Sequence, residues 1–216
     1  AAPSRGRRAA RRAGGLAPVA RLQRVFIDTS ELFPFTIMDV LLTLSEDLLF
    51  TWVWTDELLT EWEEVIVREG QRTSKSAASV VAAVRTYFGK SRIDPAVYRT
   101  RIADNLSPDP ADRIHAAAAV YGDVDVLITR NLKHLRTRPV LEAGIKVITS
   151  DDCLCALVAD RRHHVVASFI RAAEAKQNPP TTAQELASKV AGAGAPRFAE
   201  RVMPHLARPQ TQRPLK

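Results

Sequence analysis

Three short apolar runs, Val25-Phe26-Ile27, Val124 to Thr129 and Ile145 to Thr149, are separated by stretches in which apolar residues return every three or four positions. None of these runs alternates apolar with polar residues as a half-solvated strand would, so each fits a sheet covered on both faces. A fourth run, Leu48 to Val53, reads the same way. Strands alternating with helices imply right-handed crossovers and therefore an α/β sandwich with a mainly parallel central sheet.

Helical spacing and end signals place the covering elements. A helix is expected from about Thr36 to Glu46, with Ile37, Val40, Leu41 and Leu44 inward. A second, capped by Thr55 or Asp56 and stopped by Gly70, carries Leu58, Leu59, Trp62, Val65 and Ile66 on its inner face. Residues 73–89 read as a third, and a shorter one is expected after Asp94-Pro95. Asp109-Pro110-Ala111-Asp112 reads as a helix start, with Asp109 as cap and Pro110 in the first turn. Trp52, Trp54 and Trp62 are assigned to the core.

Residues 24–159 thus make one domain. Beyond it, His163 to Ala175 reads as one helix, and Thr182 with Glu185 carries a capping-box signature. Residues 160–207 are therefore expected to be a helical C-terminal extension, and 208–216 a tail. The first 24 residues hold seven arginines and no acid, so the net charge of +7 resides there and the rest of the chain is balanced. Rich in Ala, Gly and Pro and without a period, residues 1–23 are read as a disordered leader. No stretch is apolar enough to span a membrane, and Cys153 and Cys155 alone suggest neither a disulfide framework nor a zinc site. A reducing cytoplasm fits best.

Chemistry is expected at the strand ends. Asp28 follows Val25-Phe26-Ile27 directly, and an acid there must reach solvent, find donors or hold a cation. Otherwise it simply forms a turn with Thr29 and Ser30. Glu61 flanks the second helix, where Glu57, Glu63 and Glu64 compete for the same role. Of Asp109 and Asp112 only one is needed as a cap, so Asp112 is assigned to metal and Asp109 to a cap or outer role. Asn131, after Thr129 and Arg130, either offers a neutral oxygen or caps Leu132 to Leu135. Acids gathered from separate elements suit a hard cation such as magnesium, and several held together should raise one another's pKa. Neither a Gly-rich phosphate loop nor a G-x-S-x-G elbow is present.

With these residues placed, the chain resembles the PIN-domain ribonucleases, most closely VapC-type toxins with a C-terminal helical extension. The resemblance is carried by Val25-Phe26-Ile27-Asp28-Thr29-Ser30, Thr60-Glu61-Trp62, Ser107-Pro108-Asp109-Pro110-Ala111-Asp112-Arg113 and Val126-Leu127-Ile128-Thr129-Arg130-Asn131-Leu132-Lys133. It implies an α/β/α fold in which Asp28, Glu61 and Asp112, with Asp109 nearby, bind Mg2+ or Mn2+ and cut RNA. Ser30, Thr129 and Asn131 would support them. Ser30 replaces a common Asn, and Asn131 replaces a common fourth Asp, which removes one negative charge. A VapB-like antitoxin and a homodimer are implied as well. Arg113, Arg130 and Lys133 are candidates for RNA phosphates, together with Arg72, Lys75, Arg85, Lys90, Arg92, His134 and Arg136. Two other classes are compatible with these residues: a catalytically silent PIN-like binding module, and a metal-dependent phosphatase or DNA nuclease.

Overall fold

The computed structural model describes residues 21–206. The tail over 208–216, and all of the leader except residues 21–23, lie outside the described residues. Arg21, assigned to the leader, bonds the Asp125 carboxylate at 2.9 Å.

Four strands form one parallel sheet: β1 (Arg24–Ile27), β2 (Thr51–Val53), β3 (Val126–Ile128) and β4 (Lys146–Ile148), in the order β2-β1-β3-β4. Phe26, Ile27, Leu127 and Ile128 are wholly buried, as strands covered on both faces require. After β1 come α1 (Thr29–Leu32) and α2 (Phe35–Glu46), and after β2 come α3 (Asp56–Arg68) and α4 (Ser74–Tyr87). Then α5 (Arg113–Tyr121) leads into β3, α6 (Leu132–Leu135) and α7 (Arg138–Glu142) lead into β4, and α8 (Ser150–Glu174), α9 (Ala183–Gly192) and α10 (Pro196–Leu206) complete the described chain. The fold is the expected α/β/α sandwich.

Local signals held where side chains close their own hydrogen bonds. Thr55 and Thr73 cap α3 and α4 through their hydroxyls. Thr182 and Glu185 form the reciprocal capping box. Gly70 takes the left-handed conformation, φ 66°, that stops α3. Trp52, Trp54 and Trp62 are all core residues, and the Trp62 indole donates to the Leu32 carbonyl at 3.2 Å.

Tertiary context moved several boundaries. The expected strand from Leu48 begins only at Thr51: Leu48 turns left-handed, φ 58°, and is 66% exposed, which lets Leu49 and Phe50 enter the core. The segment after Asp94-Pro95 is a chain of 3-10 turns, not an α-helix. The helix expected from Asp109 starts at Arg113, because Asp109 accepts from the Ala111 amide at 3.0 Å and holds a separate turn. Finally, the helix expected from His163 is the second half of α8, which begins at Ser150 and breaks at Arg161 (φ −133°, ψ 43°).

The extension does not have a core of its own. Leu186, Val190, Phe198 and Val202 lie in the same buried cluster as Val25, Phe26 and Leu41. Arg197 pairs with the largely buried Asp151 at 2.9 Å, and the Phe198 amide donates to the same carboxylate, tying α10 to the start of α8.

Candidate functional site

The strand order dictates where a site can form. From central β1 the chain goes outward to β2, then crosses to β3 on the other side, so the carboxyl ends of β1 and β3 flank the switch point where open α/β sheets leave a crevice. The register Ile27↔Ile128 sets Asp28 beside Thr129 there.

Asp28 is 5% exposed, and its side chain makes no capping bond to the backbone of α1; only its carbonyl accepts there, from the amides of Glu31 and Leu32. Its Oδ2 accepts from the Ser30 hydroxyl at 2.5 Å and from the Thr129 hydroxyl at 2.8 Å. Thr129 Oγ1 accepts in turn from the Asn131 amide, and Ser30 Oγ from the Arg130 amide. Two hydroxyls, that of the buried Thr129 and that of the half-buried Ser30, therefore link the loop after β3 to the carboxylate that ends β1.

Asp112 stands at the start of α5. Asn131 does not cap α6 with its side chain; its amide Nδ2 donates to Asp112 Oδ2 at 2.7 Å. His134 Nδ1 lies 3.2 Å from the same oxygen and 3.6 Å from Asp109 Oδ2. Among the described residues, Asp109, Asp112 and His134 form the group of ligand atoms lying within 4.8 Å of one another. Burial pushes the Asp112 carboxyl above its ordinary value, and the charges of Asp28 and Asp109 push it further in the same direction. This is the mutual repulsion expected of gathered acids.

Glu61 approaches from α3 and lies outside that triplet. Its Oε2 meets His115 Nε2 at 2.7 Å, and His115 is 3% exposed, one helical turn beyond Asp112. Burial alone would raise the Glu61 carboxyl, but the His115 hydrogen bond and charge outweigh it and hold the pKa below the usual value. Burial would lower His115, yet its bond to Glu61 and the charges of Glu61, Asp28 and Asp112 raise it. The imidazole thus senses all three acids. Of the competing glutamates, Glu57 is taken by the Tyr98 hydroxyl and Arg99, and Glu63 and Glu64 line a separate groove.

The candidate phosphate contacts divide. Lys133 is exposed. Arg113 binds the Ser107 carbonyl and Asp104, and Arg130 binds Glu31. Arg85 and Arg92 both hold Asp56. His115 was not anticipated, though its place three residues after Asp112 sets it on the same helical face. His134 was expected at phosphates and instead joins the acids.

The PIN domain family model matches residues 24–133, and the VapC50 C-terminal domain model matches residues 150–204. Comparison with curated proteins and with solved structures gave no match.

Proposed function

This chain belongs to the PIN-domain family, and on that premise we propose that it is a metal-dependent endoribonuclease, the toxin of a toxin–antitoxin pair. The observation that carries the reading is the convergence of Asp109, Asp112 and His134, a group that does not include Asp28 but lies near enough for the Asp28 charge to act on Asp112. The donor set is mostly carboxylate oxygen, which suits Mg2+ or Mn2+, and the one imidazole suits Mn2+ better than Mg2+. Asp28 and Asp112 would hold the ion, with Asp109 and His134 beside them and Glu61 at the margin. When bound, such an ion polarises a phosphate oxygen and makes a water more acidic.

The chain's own residues supply the rest. The hydroxyls of Ser30 and Thr129 fix one oxygen of Asp28, and Asn131 fixes one oxygen of Asp112, so both acids are oriented in advance. His115 fixes Glu61 Oε2, which leaves Oε1 to orient a water. With its pKa held down, Glu61 is a weak base, so orientation suits it better than proton removal. Lys133, exposed two residues beyond Asn131, is placed to meet an RNA phosphate.

The match to the VapC50 C-terminal domain supports the toxin role and a VapB-like antitoxin partner. We assign the protein to the cytoplasm, a compartment whose reducing conditions suit its two free cysteines. No helix among the described residues is long and apolar enough to cross a membrane. A homodimer is part of the same proposal.

The test is cleavage of single-stranded RNA with Mg2+ or Mn2+, lost with chelator, beside DNA and a phosphomonoester as comparison substrates. Cutting of DNA or the monoester alone would overturn the ribonuclease assignment, and no cutting of any substrate would overturn the enzyme.

A further inference from the structure

Glu31 is 1% exposed, yet it carries a carboxylate into the joint between α1 and α8. Such a group persists only when its oxygens are met by donors. Ser150 meets them with its amide at 2.9 Å and its hydroxyl at 2.7 Å, and Arg130 Nε meets Oε2 at 3.1 Å. The other end of the same guanidinium, Nη2, donates to the carbonyl of Ala193 in the turn between α9 and α10. Gly194, next to it, has φ +117°, and a Cβ built there would lie 2.6 Å from Arg130 Nη2. The arginine fork thus occupies the space that a side chain at Gly194 would take, and the positive φ there itself favours glycine.

Arg130 is also the middle residue of the loop that orients the acids. Thr129 bonds Asp28, Asn131 bonds Asp112, and the Arg130 amide bonds Ser30. We propose that Arg130 is a positioning residue through which the C-terminal extension holds this loop, so the extension is a working part of the site and not an appendage. The part of this that concerns turnover rests on the nuclease reading above. Although 43% exposed, the guanidinium has Nε on a buried carboxylate and Nη2 on a backbone carbonyl, so two of its three nitrogens are engaged within the protein.

The experiment uses the full chain with two substitutions, Arg130→Met, which keeps the stem and removes the fork, and Gly194→Ala, which displaces the fork from a distance. The first readout is amide hydrogen exchange without RNA: the Arg130 and Asn131 amides should exchange faster in both variants, while those of β1 and β3 stay as in the wild type. The second is turnover of a short single-stranded RNA, in which both variants should lose about 10- to 100-fold in kcat, the range for groups that orient ligand residues, with KM within about twofold. Unchanged loop exchange in both variants would overturn the proposal. So would exchange that speeds equally through β1 and β3, or an Arg130→Met variant that raises KM and flattens the salt dependence with kcat intact. A wild-type protein that cuts no RNA would end the nuclease reading, and the exchange rates would still decide the clamp.

Discussion

The side-chain amide of Asn131 donates to the carboxylate of Asp112 across 2.7 Å. An aspartate at 131 could not do this; it would place a further negative charge beside a carboxyl that burial, Asp28 and Asp109 already push upward. Asn131→Asp should therefore lower the melting temperature in chelator and enlarge the stabilisation gained from Mg2+ or Mn2+. Melting curves with and without the ion check this, and an equal shift in both conditions would count against it.

Removing an acid should act on the ion before it acts on the fold. Asp28→Asn keeps an oxygen that can accept from Ser30 or Thr129, and Asp112→Asn relieves repulsion. We expect each to weaken Mn2+ binding at least about tenfold, in line with losses at oriented ligand sites, and to abolish RNA cleavage while melting within a few degrees of wild type. Calorimetric titration with Mn2+ separates this from a folding defect.

His115 holds Glu61 from inside the protein. His115→Leu fills similar space without a donor, so Glu61 should lose its fixed orientation and RNA turnover should fall about 10- to 100-fold. Glu61→Gln should be milder for the fold, because the amide oxygen can still accept from His115. Melting temperatures of the two variants check the order for the fold, and turnover compared at equal folded fraction checks the loss in His115→Leu.

Because the extension shares the core, the chain should unfold in one transition. Phe198 is fully buried against Phe169, with ring centroids 5.5 Å apart. Phe198→Ala should cost about 3–5 kcal/mol and lower the single melting temperature by roughly 6–20 °C. Two separate transitions in calorimetry would contradict it.

Acid should loosen the α3 side of the molecule. Hydrogen bonds from Arg92 and Arg85 outweigh burial and hold the Asp56 carboxyl below its ordinary value of 3.8. A carboxyl with a depressed folded pKa adds stability that is complete above its unfolded pKa and disappears as pH falls through the folded value. Asp56→Asn should thus destabilise the protein at pH 7 and make progressively less difference as pH falls below the ordinary carboxylate range and through the depressed folded value, as urea midpoints across an acid series would show.

The sequence was legible where a residue settles its own neighbourhood. Asp28 at a strand end, the tryptophans in the core and the Thr182–Glu185 box all follow from spacing within a few positions. What escaped was long-range. His115 and Glu61 are 54 positions apart, and nothing in either neighbourhood announces the other. The late start of α5 depends on Ser107 and Asp109 bonding the turn ahead of it, so the D-P-x-D signature was read one turn early. Arg130 was read as a phosphate contact, and its additional contacts to Glu31 and Ala193, 99 and 63 positions away, could not be read from its neighbourhood.

Contact between Arg130 and the Ala193 carbonyl bridges 63 positions. A ribosome making this protein would release the acids of the sheet edge well before the turn that steadies them. The nascent chain would then carry those acids with their loop unclamped, and the arginine would find its carbonyl only once the helices that follow α8 had been made and docked.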